Sequence, residues 1–180
     1  GWFDLNIQPV PEGAFILSID ITERKRKEAE LQKLNRMLVA TKNSSKAMLR
    51  ASSEIQYLKE VCQIIVKDCG YAMVWIGFSE EDKEKSILPV AYFGFEEGYL
   101  ETMKLTWADS ESGRGPTGTA IRTGKPAICR NMLEDSNFKP WRQEAIKRGY
   151  ASSIVLPLKE NERSFGAINI YSREADPFIS

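Results

Sequence analysis

Tyr71-Ala-Met-Val-Trp-Ile-Gly-Phe78 decides the fold class. Before Gly70 the apolar residues recur at helical spacing. Beyond it they run together up to the charged loop Ser79–Lys85, the pattern of a buried strand. Side chains alternate across a strand, so Trp75 and Gly77 share one face and Val74, Ile76 and Phe78 the other. Ile87–Phe95 reads as the next strand, and Gly94 and Gly98 bracket a turn before a short helix around Tyr99–Lys104. Pro116–Thr123 is a short helix closed by Gly124, Ala127–Cys129 a short strand, and Pro140–Arg148 a helix stopped by Gly149. Polar Lys159–Ser164 joins Ser152–Leu158 and Phe165–Tyr171 in a hairpin. Upstream, Ile55, Leu58, Val61, Cys62 and Ile65 hold one face of a helix suited to burial on a sheet. The order predicts an α+β fold: an antiparallel sheet of five or six strands, one long helix behind it, short helices and loops in front.

The first fifty residues are of another kind. Trp2, Leu5, Ile7 and Val10, a turn at Pro11-Glu12-Gly13 and the run Ala14–Ile19 predict a β-hairpin over residues 1–20. Two strands alone are marginal in water, so the hairpin is expected to belong to a larger sheet. Asp20 or Thr22 caps a helix with Glu23 in its first turn. Residues 22–68 lack Pro and Gly. Leu31, Leu34 and Leu38, continued through Thr41 and Ser45 to Met48, make a short coiled-coil seam or a helix packed on its own domain. The polar steps at 41–45 predict a bend or break.

Composition closes most catalytic routes. The chain has 180 residues, 42% of them hydrophobic, too many for a disordered segment. Twenty-five basic residues balance 25 acidic ones, so the broad positive footprint of a nucleic-acid binder is missing. No apolar run reaches the length of a membrane span and no signal pattern opens the chain, which reads as cytoplasmic. With no histidine there is no Ser-His-Asp or Cys-His pair, no HExxH zinc site, no His-ligated haem and no kinase phospho-acceptor histidine. Three cysteines are too few for a disulfide scaffold or a four-cysteine metal site. No metal site is expected.

Several motifs have bland readings. Gly113-Arg-Gly-Pro-Thr-Gly118 matches GxGxxG, but polar residues precede it and Pro116 stands at the helix start, so a tight loop is the better reading. Arg24-Lys-Arg-Lys27 is flanked by Glu23, Glu28 and Glu30 and reads as a solvated helical face. Cys62 and Cys69 lie roughly 10 Å apart along a helix, beyond the ~7 Å limit for a disulfide. Cys129 stands just before Arg130. A cation there would lower its thiol pKa and make it reactive or a cofactor anchor, against the reading of a buried, inert cysteine.

Asp20-Ile-Thr-Glu-Arg-Lys after a β-hairpin resembles the closing piece of a PAS domain and its exit helix. Gly70–Gly77, Gly113–Pro126, Trp141–Ala145, Arg148–Pro157 and Phe165–Tyr171 resemble a GAF domain of prokaryotic sensor kinases. The resemblance implies a PAS hairpin over 1–20, a signalling helix or coiled-coil linker over 21–45 and a GAF domain over 46–180. The usual terminal helix after Asp176-Pro177-Phe178 is missing, so a second chain is expected to cover the back of the sheet. Loops in front of such a sheet close over a small ligand.

Ile154, Leu156 and Leu158 suit packing on the long helix, whereas Ser153, Val155, Ala167 and Asn169 form a mixed face suited to a cavity. Around that face the sequence offers Trp75, Tyr92, Trp107, Arg114, Thr117, Cys129, Phe138, Trp141 and Tyr150, a setting for a small planar or anionic molecule unless the aromatics fill the space themselves. The expected function is that of a regulatory sensor, not an enzyme: a small-molecule ligand biases a dimeric helix that signals to an output kinase domain outside this chain. The expected partner is a second copy through the N-terminal helix, with neither nucleic acid nor membrane. The cofactor stays open among haem, bilin, cyclic nucleotide and none. The rivals are a dimerisation module without ligand and a thiol-dependent methionine sulfoxide reductase of the kind some GAF domains are.

Overall fold

The computed structural model describes residues 1–94, 98–103, 105–175 and 178; Phe95, Lys104, Asp176 and Pro177, named above, lie outside them. Strands β1 (Phe3–Val10) and β2 (Gly13–Asp20) form a separate two-stranded ribbon with every residue exposed. Apolar side chains line both faces, Phe3, Leu5, Ile7 and Ile16 on one, Val10, Phe15, Leu17 and Ile19 on the other. The ribbon is tied to the next helix where the Trp2 amide donates to the Thr22 hydroxyl at 2.7 Å.

Helix α1 (Thr22–Arg50) runs through 41–45 without a break, and the reason is local. The hydroxyls of Thr41 and Ser45 donate back to the carbonyls of Met37 and Thr41, so these polar steps satisfy themselves inside the helix. The break falls at 51–53, where the Ser53 side chain accepts the Gln56 amide and caps α2 (Glu54–Lys67). Of α1 only Ala47 is buried; Leu31, Leu34, Met37 and Leu38 are more than half exposed. No helix among the described residues is long and apolar enough to cross a membrane.

The main sheet is antiparallel, of five strands in the order β4-β3-β7-β6-β5: β3 (Met73–Ser79), β4 (Ile87–Gly94), β5 (Ala127–Cys129), β6 (Ser152–Glu160) and β7 (Arg163–Ser172). Behind it, Leu58, Cys62, Ile65 and Val66 of α2 pack on Val74, Ile76, Ala91 and Ile170. In front lie α3 (Tyr99–Thr102), α4 (Pro116–Thr123), a 3-10 segment (Ser136–Trp141) and α5 (Arg142–Lys147). The helix expected over 140–148 thus divides: the chain stays 3-10 through Pro140, which cannot donate within a helix, and turns α-helical at Arg142. Trp75 lies in the front core, as its alternation demands.

Candidate functional site

The sheet register aligns two rows of front-facing positions. One row reads Tyr92, Trp75, Asn169, Val155, Ala127; the next, Gly94, Met73, Tyr171, Ser153, Cys129. Helix α4 lies over them, entered through Pro116 at its first turn. The Thr117 hydroxyl donates to Asn169 Oδ1 at 2.7 Å. Asn169 is fully buried, and its Nδ2 has no hydrogen-bond acceptor. An unsatisfied buried donor costs about 1–3 kcal/mol, which an acceptor atom placed beside this amide would recover.

Around α4 the loop is clasped by Arg122, whose Nη1 donates to the carbonyls of Trp107 (2.9 Å), Ala108 (3.1 Å) and Gly113 (2.6 Å). The glycines of the GxGxxG stretch serve contact, not phosphate binding: a β-carbon on Gly115 would lie 2.4 Å from the Trp141 ring, and one on Gly118 2.1 Å from the Gly113 carbonyl oxygen. What remains enclosed is a cavity of about 30 Å3, bounded by Ile87, Met103, Leu105, Thr117, Ser153 and Tyr171 among others. That is room for a water or two, far short of the ~300 Å3 of an ordinary ligand pocket. The front is nearly filled, not hollow.

Of the residues expected here, Thr117, Phe138, Trp141 and Ser153 line the cavity. Asn169 adjoins it through Thr117, while Trp75 and Tyr150 are buried in the surrounding front core. Three stand elsewhere. Tyr92 is on the edge strand β4, 56% exposed. Arg114 points outward and pairs with Asp109 at 2.8 Å. Trp107 is a staple: its indole N–H donates to the Glu80 carbonyl and the Lys85 ammonium sits 4.1 Å above its ring. Edge strands and loop tips carry no periodicity that would have marked these positions as outward.

Cys129 is buried, and its thiol is pushed up to about 12, first by burial and then by the adjacent Asp135, which outweighs Arg142. Of the two readings of Cys129, this setting favours the buried, inert cysteine over the reactive one. Burial pushes Cys62 up to about 12 as well. No three acidic or cysteine side chains among the described residues converge to hold a metal.

Sequence reasoning named Tyr150 but missed Arg122, Tyr99 and Tyr171. Tyr99, Tyr150 and Tyr171 form a closed triangle of rings with centroids 5.6, 5.8 and 5.1 Å apart. The Arg148 guanidinium lies 5.2 Å over Tyr99 and is held by Glu144 at 2.8 Å. Burial pushes the hydroxyls of Tyr99 and Tyr171 above the usual phenol range. Tyr150 and Tyr171 carried a signal, the alternation of β7 and the turn before β6; Tyr99, isolated on a four-residue helix, carried none.

The sequence model of the GAF domain family matches residues 51–180. No curated protein sequence matches the chain. Among solved structures, the GAF domain of Aquifex (A. aeolicus) nlh2 in an inactive state is similar at 20% identity and a TM-score of 0.59, over 81% of this chain and 83% of that one. The free methionine-R-sulfoxide reductase of Neisseria meningitidis, in complex with its substrate, is similar at 15% identity and 0.61, over 80% and 77%. The GAF domain of a phosphoenolpyruvate-protein phosphotransferase from Coxiella burnetii is similar at 16% identity and 0.61, over 79% and 80%. At these identities the likeness is one of fold.

Proposed function

The chain belongs to the GAF domain family, and from that premise we propose that it is the regulatory, non-catalytic part of a sensor: a small molecule bound in front of the sheet biases the helices behind it. The observation that carries this reading is the buried Asn169 Nδ2, a donor without an acceptor beside the cavity that Thr117 lines. A ligand with an acceptor atom would satisfy it and favour the bound state. Exposed Leu31, Leu34 and Leu38 support α1 as the dimeric output helix, and the ribbon with apolar side chains on both faces supports a PAS tail ahead of it. The output is then a kinase domain outside this chain.

The test is a thermal-shift panel of cyclic AMP, cyclic GMP, haemin, biliverdin, nitrate and methionine sulfoxide on the wild type and Asn169→Leu. Saturation at about 100 times Kd adds roughly 2.7 kcal/mol. The reading fails if no compound raises the melting temperature, or if Asn169→Leu responds as the wild type does.

A second reading is favoured by the small size of the cavity: a dimerisation module that binds nothing, for which the whole panel is silent while equilibrium sedimentation reports a dimer. The reductase reading is disfavoured by two thiols at about 12 on opposite sides of the sheet. Turnover of free methionine sulfoxide in a thioredoxin-coupled assay would reinstate it.

A further inference from the structure

Helix α1 has two unlike sides. At about 3.6 residues per turn, Leu31, Leu34 and Leu38 fall on one and Ala29, Gln32, Lys33 and Arg36 on the other. The second side walls a groove of about 1170 Å3 between α1 and the back of the sheet, so a helix seam through the leucines leaves that groove open. The spacing of α1 from α2 is fixed where the Asn43 amide donates to Asp68 Oδ2 at 2.7 Å and the Ser44 and Tyr57 hydroxyls meet at 3.3 Å.

The groove is polarised from end to end. Its floor is Ile128, Ile154 and Ile170, which the register sets side by side on β5, β6 and β7, about 10 Å of apolar width. Its other end is where β3 begins and β7 stops. There the Ala72 amide donates to the Tyr171 carbonyl, so the register carries Arg173 to a place beside Tyr71. Arg36 Nη1 reaches the same end, 3.6 Å from where a β-carbon on Gly70 would stand. The charges there do not cancel. Lys33, Arg36 and Arg173 line the groove with one carboxylate, Glu174, and none of the three cations forms an ion pair with another described residue. Earlier on the same helix, Arg24, Lys25 and Lys27 are each paired with a glutamate; from Leu31 to Ser53 the chain has no acidic residue.

An apolar floor that ends at unpaired cations complements a molecule with an apolar body and an anionic end. Because Arg36 bridges α1 and Gly70, a helix, about 10–12 Å across, cannot run through this end without displacing the guanidinium, whereas a carboxylate ends on it. We propose that the rear groove binds a long-chain carboxylate, its hydrocarbon chain on Ile128, Ile154 and Ile170 and its carboxylate between Arg36 and Arg173. Apolar burial supplies the affinity, and guanidinium–carboxylate pairing the orientation. The site lies on the opposite face of the sheet from Asn169 and does not depend on the front-pocket reading.

The probes are octanoate, decanoate and dodecanoate below their micellar concentrations, titrated calorimetrically into the full chain. Each added methylene should tighten binding severalfold, up to about fourfold. The neutral 1-dodecanol should bind about tenfold more weakly than dodecanoate or worse. Arg36→Gln combined with Arg173→Gln alters two exposed side chains and should weaken dodecanoate by a similar factor while leaving 1-dodecanol unchanged. Lys139→Gln, an exposed lysine outside the groove, should bind as the wild type does. Affinity independent of chain length, equal binding of acid and alcohol, or an unaffected double variant overturns the proposal. A second measurement needs no variant. Cys69 lines the groove, so dodecanoate should protect it from iodoacetamide over the same concentration range as the binding. Binding without protection places the ligand elsewhere and overturns the proposal. So does protection by an acidic amphipathic peptide but not by dodecanoate, which assigns the groove to a helix. Protection that rises with protein concentration alone assigns it to a second copy and overturns the proposal equally.

Discussion

The two faces of the five-stranded sheet are made from alternate residues of the same strands, yet they end in opposite states. The front carries polar and aromatic side chains, Asn169, Ser153, Trp75 and Tyr171, and is packed down to a cavity of about 30 Å3. The back is aliphatic, Val74, Ile76, Ile154, Ile168 and Ile170, and borders a groove of about 1170 Å3 between α1 and the sheet. Alternation alone would suggest the reverse, an oily face sealed and a mixed face hollow. What decides is how much chain reaches each side. Helix α2, 14 residues or about 21 Å long, covers β3 and β4 and leaves Ile128 on β5 39% exposed. The front receives three helices, two 3-10 segments (Glu111–Gly113 and Ser136–Trp141) and a loop clasped by Arg122. Apolar character makes burial favourable; only available chain makes it happen.

The largest expected effect tests that contrast directly. Trp75→Ala deletes a fully buried front side chain and should lower stability by about 3–5 kcal/mol, whereas Ile154→Ala, half-buried beside the rear groove, should cost less than about 2 kcal/mol. Urea unfolding of both variants measures the gap. Equal losses would mean that the back is sealed in solution.

Next in size is Thr117→Val, which keeps shape but withdraws the hydroxyl from Asn169 Oδ1. It should cost about 1–3 kcal/mol, more than the removal of an exposed threonine such as Thr123. A neutral result would show that the buried amide is satisfied by water.

The cysteines compare the faces in a different quantity. Cys62 behind and Cys129 in front both ionise only near 12 when folded, against an ordinary 9.0, because both are buried. Iodoacetamide at pH 8 should modify half-buried Cys69, which borders the rear groove, well before either. The sign of the pH dependence follows. The unfolded thiols ionise first, so stability present below pH 9 is lost as pH rises from about 9 toward 12. Cys129→Ala should flatten that alkaline decline in a series of urea titrations.

The smallest effect belongs to Arg114→Ala. Its pair with Asp109 is exposed on both sides, so the melting temperature should not move beyond error. A ligand response lost in this variant would return Arg114 to the pocket.

Legibility in the sequence tracked periodicity. The strands and α4 could be read because buried residues recur at two or at three to four, and the helix face that meets the sheet showed itself at Leu58, Cys62 and Ile65. The candidate site was legible where it rides on those elements, at Thr117, Ser153 and Asn169. It was illegible at Arg114, Tyr92 and Trp107, which sit on loops and an edge, and at Tyr99, whose partners are 51 and 72 positions away.

The amino-acid order by itself determined which residues face each side of each strand, the α+β class, and the exclusion of chemistry that needs histidine, since these depend on local backbone geometry and on which atoms are present. Only the tertiary structure decided that the mixed face would be the filled one and that Cys129 would hold its proton. Burial is a property of what the rest of the chain places over a residue, and no local pattern encodes it.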